Sequence, residues 1–490
     1  MSSKNNIGRD SLILTVTQFM TLGVNMINAM LLSRFRTLGE YGTYSQVMMV
    51  CTIIITFFSA GFAQCINYFL GKSQSEEEKA GFIQSYYSIT SLVGILGGCV
   101  TLVLLPILKR YFGNDALADF WFVLLLYPLS HILISGADRF FIAFRKATSL
   151  LIFKVGHSIF VLAEILLALF LKLTFYQYMM IYTGVEVLFG LSVYVWIKGI
   201  SGVTPFGFHK SLIGKIFVFA IPMALASLVS TINTEMDKLI VGGLVSTETL
   251  AIYTNAAREL PVYIFSTSIS SVVMPFVVRK VAADDMPGAV GLWKKSITLS
   301  YCIICFCVTV LFVFAPQIVS LLYSDKYLPG VNVFRVYSLV LLFRITYFGM
   351  MLNAQGKTKT ILNASIATMI SNLILDMVLY KALGLIGPAI ATFLSVAIMN
   401  MYQLWLTKRL IRVKFTDIYP LREILTITLV NGLFGIGFYF IQQMLFAVIQ
   451  WDRILLSVLL GVVWLAVYLL TFRKKLLRLW HYLNHGDAAG

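Results

Sequence analysis

The sequence predicts an all-α integral membrane protein of about fourteen spanning helices, laid out as two parallel six-helix bundles with two extra helices at the C-terminus. Three observations predict it. The 490-residue chain is 59% hydrophobic and only 12% charged, roughly half the charged share of a soluble globular domain. Its apolar residues come in long continuous runs broken by short polar stretches. Its two halves also repeat one another at an offset of about 210 residues.

The apolar runs fall at 11–33, 43–70, 84–108, 119–142, 149–171, 175–198, 213–244, 250–278, 296–323, 332–354, 360–381, 384–407, 422–448 and 453–472. Each is long enough for a helix to cross a hydrocarbon layer of about 30 Å. They are continuously apolar, whereas the strands of a membrane barrel alternate. Packed this tightly, the spans leave no room for a large extramembrane catalytic module. Residues 1–10 are polar, and the run from Leu12 to Leu32 is too long for a cleaved signal, so it reads as a first helix that stays in the membrane. Gly94 and Gly98, four apart, favour close helix packing.

Orientation follows from the basic residues. With the N-terminus in the cytoplasm, the clusters Arg145-Lys146, Lys294-Lys295, Lys408-Arg409 and Arg473-Lys474-Lys475 all lie inside, and an even number of spans returns the basic C-terminus there. The net charge of +16 is then explained by topology and by contact with anionic inner-leaflet lipid, and no nucleic-acid partner is implied. The six cysteines all lie in apolar runs and match no disulfide framework or zinc spacing. No metal and no cofactor are expected.

The repeat aligns Arg34–Tyr44 with Gly243–Tyr253, Pro106 with Pro316, Lys172 with Lys381, and Lys198 with Lys408. It is six spans long. Six is even, so both copies start on the same side and are parallel repeats. The expected layout is a first lobe at 1–200, a second at 201–410, and helices thirteen and fourteen with a basic tail at 411–490. Two facing bundles of this kind would create a central cleft and a route to alternating access.

Two groups of residues carry a family resemblance. One is Arg34-Phe-Arg-Thr-Leu-Gly39-Glu-Tyr-Gly-Thr-Tyr44, and the other is Pro222 with Asp237-Lys-Leu-Ile-Val-Gly-Gly243 and Leu250-Ala-Ile-Tyr253. With these the chain resembles the multidrug/oligosaccharidyl-lipid/polysaccharide exporter superfamily, and within it the polysaccharide-biosynthesis branch of Wzx-type flippases. The resemblance implies a transporter rather than an enzyme. It would move an undecaprenyl-pyrophosphate-linked oligosaccharide from the inner to the outer leaflet of a bacterial cytoplasmic membrane without ATP, coupled to H+ or Na+ and working beside polysaccharide assembly proteins. A lipid II flippase and a cation-coupled multidrug exporter of the same superfamily remain alternatives. A membrane glycosyltransferase fits less well, because the outer loops are too short to build its site.

Twelve of the charged residues in the spans stand out: Asp138, Arg139, Glu164, Glu186, Glu235, Asp237, Lys238, Arg258, Glu259, Arg335, Arg344 and Asp376. An ionisable side chain at mid-membrane costs about 2.5–3.5 kcal/mol on insertion scales, so each should face a cavity or a partner. Five are basic and seven acidic, so a uniformly positive lumen is not predicted, and substrate binding falls to individual residues. Arg344, near mid-span with no counter-ion nearby in sequence, is the first candidate. Arg258, Arg34 and Arg139 follow, because guanidinium forks match phosphate oxygens, and Lys238 is the candidate point cation. Counting from the outer turn puts Arg258 at the depth of Asp237 and Glu235, and Glu235 shares a helical face with Lys238. Asp237, Glu235 and Glu186 are the ion-coupling candidates. Glu186 has no basic residue near it in sequence, and His131 and His157 are the intramembrane imidazoles that could titrate near neutral pH.

Overall fold

A computed structural model describes residues 2–485, and the side chains at those positions except 2–12, 60, 226, 358, 480 and 483–485. The side chains of the polar N-terminal segment and the last residues of the basic tail therefore lie outside the described residues. Eighteen α-helices follow in order: α1 (Ser2–Phe35), α2 (Leu38–Lys72), α3 (Glu76–Phe112), α4 (Trp121–Ala143), α5 (Ala147–Phe170), α6 (Phe175–Ser201), α7 (Lys210–Leu244), α8 (Thr247–Ala256), α9 (Ile264–Ala282), α10 (Met286–Val313), α11 (Ala315–Leu322), α12 (Val331–Val340), α13 (Met350–Ala354), α14 (Thr358–Leu383), α15 (Ile386–Ile411), α16 (Phe415–Ile418), α17 (Leu421–Val448) and α18 (Arg453–His485). There is no strand among the described residues.

The polar turns between spans are built to start and stop helices. Thr37 accepts from the Glu40 N–H at 3.2 Å, and Glu40 accepts from the Thr37 N–H at 2.9 Å, a reciprocal cap that opens α2. Thr174 and Gln177 do the same for α6. Gly113, at φ +58°, closes α3 in the left-handed conformation that glycine adopts without strain.

The chain divides into two compact units, residues 1–251 and 252–490. The sequence repeat begins its second half at 201, whereas packing groups α7 with the six helices before it. In the first unit, α2 packs on α7 and α4, α3 on α4, α4 on α6, and α1 on α5. Glycines set the closest approaches. A Cβ on Gly61 would collide with the carbonyl oxygen of Ala220 on α7, and one on Gly94 would lie 2.8 Å from the Leu129 Cα on α4. Gly98 presses on Leu125 in the same way, so the spacing of Gly94 and Gly98 does bring α3 and α4 together.

In the second unit, α14 packs on α15, and α10 on α9, α17 and α18. The two additional helices are thus held to α10. Trp464 of α18, fully buried, stacks on Phe438 of α17 with ring centroids 4.6 Å apart, and Tyr468 donates to the Cys302 carbonyl at 2.7 Å.

Among the described residues, thirteen stretches are long and apolar enough to cross a membrane, with α8 and α9 forming one of them. The expected tenth span, 332–354, is not a continuous helix. It runs as α12, a single tight turn at Leu341–Phe343, an irregular stretch, and the short α13. The α8–α9 stretch is interrupted too. Pro261 cannot donate to a helical ladder, and Leu260 before it takes extended angles (φ −68°, ψ 150°). Backbone groups freed by a break in a span need new partners. At the second break side chains supply them: Asn400 donates to the Phe343 carbonyl at 2.8 Å, and Ser266 donates to the carbonyl of Arg344.

Candidate functional site

The two helix breaks meet. Glu259 leaves the first and Arg344 the second, and the guanidinium of Arg344 contacts the Glu259 carboxylate at 2.9 Å. Arg344, which has no counter-ion nearby in sequence, takes one 85 residues away in the chain. Sequence distance hid the pair, because neither residue is near the other until both spans open.

The pair borders a cavity of about 510 Å³ lined by Tyr263, Ser266, Thr267, Ser270, Ser271, Met274, Thr346, Tyr347 and Met350. Ser266 and Ser270 lie four apart on α9, as do Thr267 and Ser271, so successive turns of one helix present hydroxyls to the cavity. Trp293 of α10 donates to Thr346 at 3.0 Å and holds the lining of the second break. The side chains of Arg344 and Glu259 are 35% and 24% exposed, so the pair is reachable from the cavity rather than sealed in the core. A forked cation, a carboxylate and a row of hydroxyls suit a ligand that carries both anionic and hydroxyl groups. The sequence alone does not single out these hydroxyls. The signal was the run Ser266-Thr-Ser-Ile-Ser-Ser271 inside an apolar span, which reads as ordinary polar decoration until α9 places it beside Arg344.

The other predicted residues are spread over the molecule. Arg258 lies at the first break, one residue before Glu259, and is exposed. Lys238 pairs with Glu235 at 3.0 Å on α7, as their spacing suggested. Asp237 is 2% exposed. Arg34 is exposed at the end of α1, while the neighbouring Arg36 is pinned, donating to the Leu173 carbonyl at 3.0 Å and lying 5.3 Å from the Tyr178 ring centroid. Arg139 is exposed on α4, and the adjacent Asp138 pairs instead with Lys154 of α5 at 2.7 Å.

Glu186, without a basic neighbour in sequence, is 2% exposed and sits between two imidazoles. His131 Nε2 and His157 Nε2 each lie 3.1 Å from one of its two oxygens. Among the described residues no group of three or more His, Cys, Asp or Glu side chains could hold a metal ion.

Residues 31–332 match the model of a family described as polysaccharide biosynthesis protein. The chain belongs to that family. It is 26% identical over 194 residues to the capsular polysaccharide biosynthesis protein CapF of Staphylococcus aureus, an alignment covering 38% of this chain and about half (49%) of that relative's length. Its fold is similar to that of the lipid II flippase MurJ in an inward closed conformation, with a TM-score of 0.70 at 16% identity over 95% of this chain and 99% of that one. It is also similar to an inward-facing multidrug resistance MATE transporter of the MOP superfamily, with a TM-score of 0.63 at 14% identity over 83% of this chain and 99% of the other. At such identities the likeness carries the fold. This member of the polysaccharide biosynthesis family is a multi-pass membrane protein whose fold is similar to those two transporters.

Proposed function

We propose that this protein is a flippase for undecaprenyl-pyrophosphate-linked oligosaccharide, moving it from the inner to the outer leaflet of the bacterial cytoplasmic membrane by alternating access. The observation that carries the reading is the Arg344–Glu259 pair at two facing helix breaks, beside a cavity lined with hydroxyls. Arg344 would take the pyrophosphate as a bidentate ligand. Ser266, Thr267, Ser270 and Thr346 would hydrogen-bond the first sugars. Glu259 would neutralise the arginine while the cavity is empty and give way when the pyrophosphate arrives.

Membership in a polysaccharide biosynthesis family supports the glycan substrate. The distribution of basic residues supports cytoplasmic N- and C-termini. Movement would be coupled to a cation gradient, and polysaccharide assembly proteins would receive the product. The test is deletion of the gene followed by identification of the lipid that builds up in the inner leaflet. Build-up of one undecaprenyl-pyrophosphate-linked oligosaccharide supports the proposal. Build-up of lipid II, or increased sensitivity to cationic dyes with normal glycan export, assigns the chain to a different substrate.

A further inference from the structure

The first unit holds a second polar centre, remote in sequence from the Arg344 cavity. It is formed by His131 on α4, His157 on α5 and Glu186 on α6, with each imidazole Nε2 3.1 Å from a different oxygen of the one carboxylate. The contacts are at ion-pair distance and neither Nε2 makes a hydrogen bond of good geometry; with a hydrogen on each Nε2 facing the carboxylate, the two Nδ1 atoms are the basic positions. The rings are fixed from behind. His131 stacks on Tyr127 at 4.1 Å, and His157 packs against Phe189 at 4.9 Å.

Titratable groups surround the cluster on α2, α3, α4, α5 and α6. Tyr182 of α6 donates to Tyr127 at 3.3 Å, and the rings of Tyr44 of α2 and Tyr178 of α6 lie 6.4 and 6.2 Å from the Tyr182 ring. Along α5, Lys154, His157 and Glu164 follow at intervals of three and seven residues, which puts them on one face. Lys154 is held by Asp138 at 2.7 Å, with Tyr87 of α3 and Arg139 also acting on Asp138. Toward the other end of α5, Glu164 is 4% exposed, and neither of its oxygens has a hydrogen-bond partner among the described residues. The length of α1 from residue 13 to residue 33, which packs on α5, carries no ionisable side chain.

We infer that His131, Glu186 and His157 form a proton-binding site that loads and unloads one proton in each transport cycle, with Glu164 and the Asp138–Lys154 pair as its relays toward the two ends of α5. The chemistry balances simply. With both imidazoles neutral the group carries −1. One proton from water adds to an imidazole Nδ1 and brings the group to 0, and the same proton leaves to water when the cycle turns. The charge state of three packed helices thus changes by one unit at a place where charge is costly, which gives a physical means of favouring one conformation over another. The inference rests on the transport reading and names the ion that couples to it.

The test is designed to work without the lipid substrate. The chain has five histidines. Replacing His209, His481 and His485 with asparagine leaves the two of interest, and 15N-histidine solid-state NMR in phosphatidylglycerol–phosphatidylethanolamine liposomes then reads their protonation from about pH 5 to about pH 8. The expected result is one proton shared by the two imidazoles in a single transition, whose midpoint moves by about one pH unit or more in Glu186→Gln. His131→Asn and His157→Asn, each leaving one imidazole, should also move it. If both imidazoles stay neutral across the range, or titrate independently and unchanged in Glu186→Gln, the proton site is overturned, and glycan export that persists would leave the flippase reading standing. If the shared transition is present while no lipid-linked glycan moves, the proton site stands and the flippase reading falls.

Discussion

Replacing Arg344 separates a substrate-binding arginine from a structural one. In Arg344→Ala the guanidinium that contacts Glu259 at 2.9 Å is lost. A hydrogen bond to a charged group contributes about 1.5–3 kcal/mol, so a pyrophosphate that depended on Arg344 would bind about 10- to 150-fold more weakly. The loss of folding stability should be smaller, about 1 kcal/mol or less, because the pair is partly exposed and a partly solvated ion pair is worth little. Glu259→Gln keeps an oxygen that can accept from Arg344 and leaves the cation in place, so export should be retained. The double variant Arg344→Ala/Glu259→Gln decides the matter. It leaves no unpaired charge, so a purely structural pair would recover export, whereas a substrate-binding Arg344 predicts export as poor as in Arg344→Ala alone. The assay is surface glycan and inner-leaflet lipid-linked oligosaccharide, each normalised to the amount of protein in the membrane. Recovery of export in the double variant would refute the assignment.

Three further outcomes follow from packing and capping. Gly61→Ala forces a Cβ onto the Ala220 carbonyl and should cost about 1–3 kcal/mol, seen as a lower melting temperature in detergent, whereas alanine at Gly156, whose Cβ position is open, should change it little. Trp464→Ala removes the buried ring stacked on Phe438 and should cost about 3–5 kcal/mol, read as earlier proteolysis between α17 and α18. Asp285 opens α10 by accepting from the Gly288 N–H at 2.9 Å, and the Lys280 ammonium at 2.7 Å holds its carboxyl below the usual carboxylate range. A depressed carboxyl contributes stability above its unfolded value and loses it as the pH falls. Asp285→Asn should therefore melt below wild type at neutral pH, and the two melting curves should converge below about pH 4.

Much of the fold was legible because a membrane demands a coarse code. Long apolar runs between polar turns specify helices, and the places where Thr37 and Thr174 cap their helices are those turns. The tenth span was misread for the same reason. Residues 332–354 have the composition of a helix, and nothing local shows that Asn400, Ser266 and Trp293 will stabilise an opened backbone there. At the sites, single residues were visible and pairings were not. Arg344 and Glu186 stood out as charges in apolar surroundings. Their partners Glu259, His131 and His157 lie on other segments, 29 to 85 residues away, and only packing brings them together. The exception is Glu235 with Lys238, three apart on one helix and paired as spacing alone implied.

The most direct measurement reconstitutes the purified protein into liposomes with fluorescent undecaprenyl-pyrophosphate-linked oligosaccharide in the inner leaflet and follows its appearance outside by quenching with a membrane-impermeant reagent. The account predicts transfer by wild type and by Glu259→Gln, and a rate reduced about 10- to 150-fold in Arg344→Ala under sub-saturating substrate. Equal transfer by wild type and Arg344→Ala, or no transfer above protein-free liposomes, would contradict it.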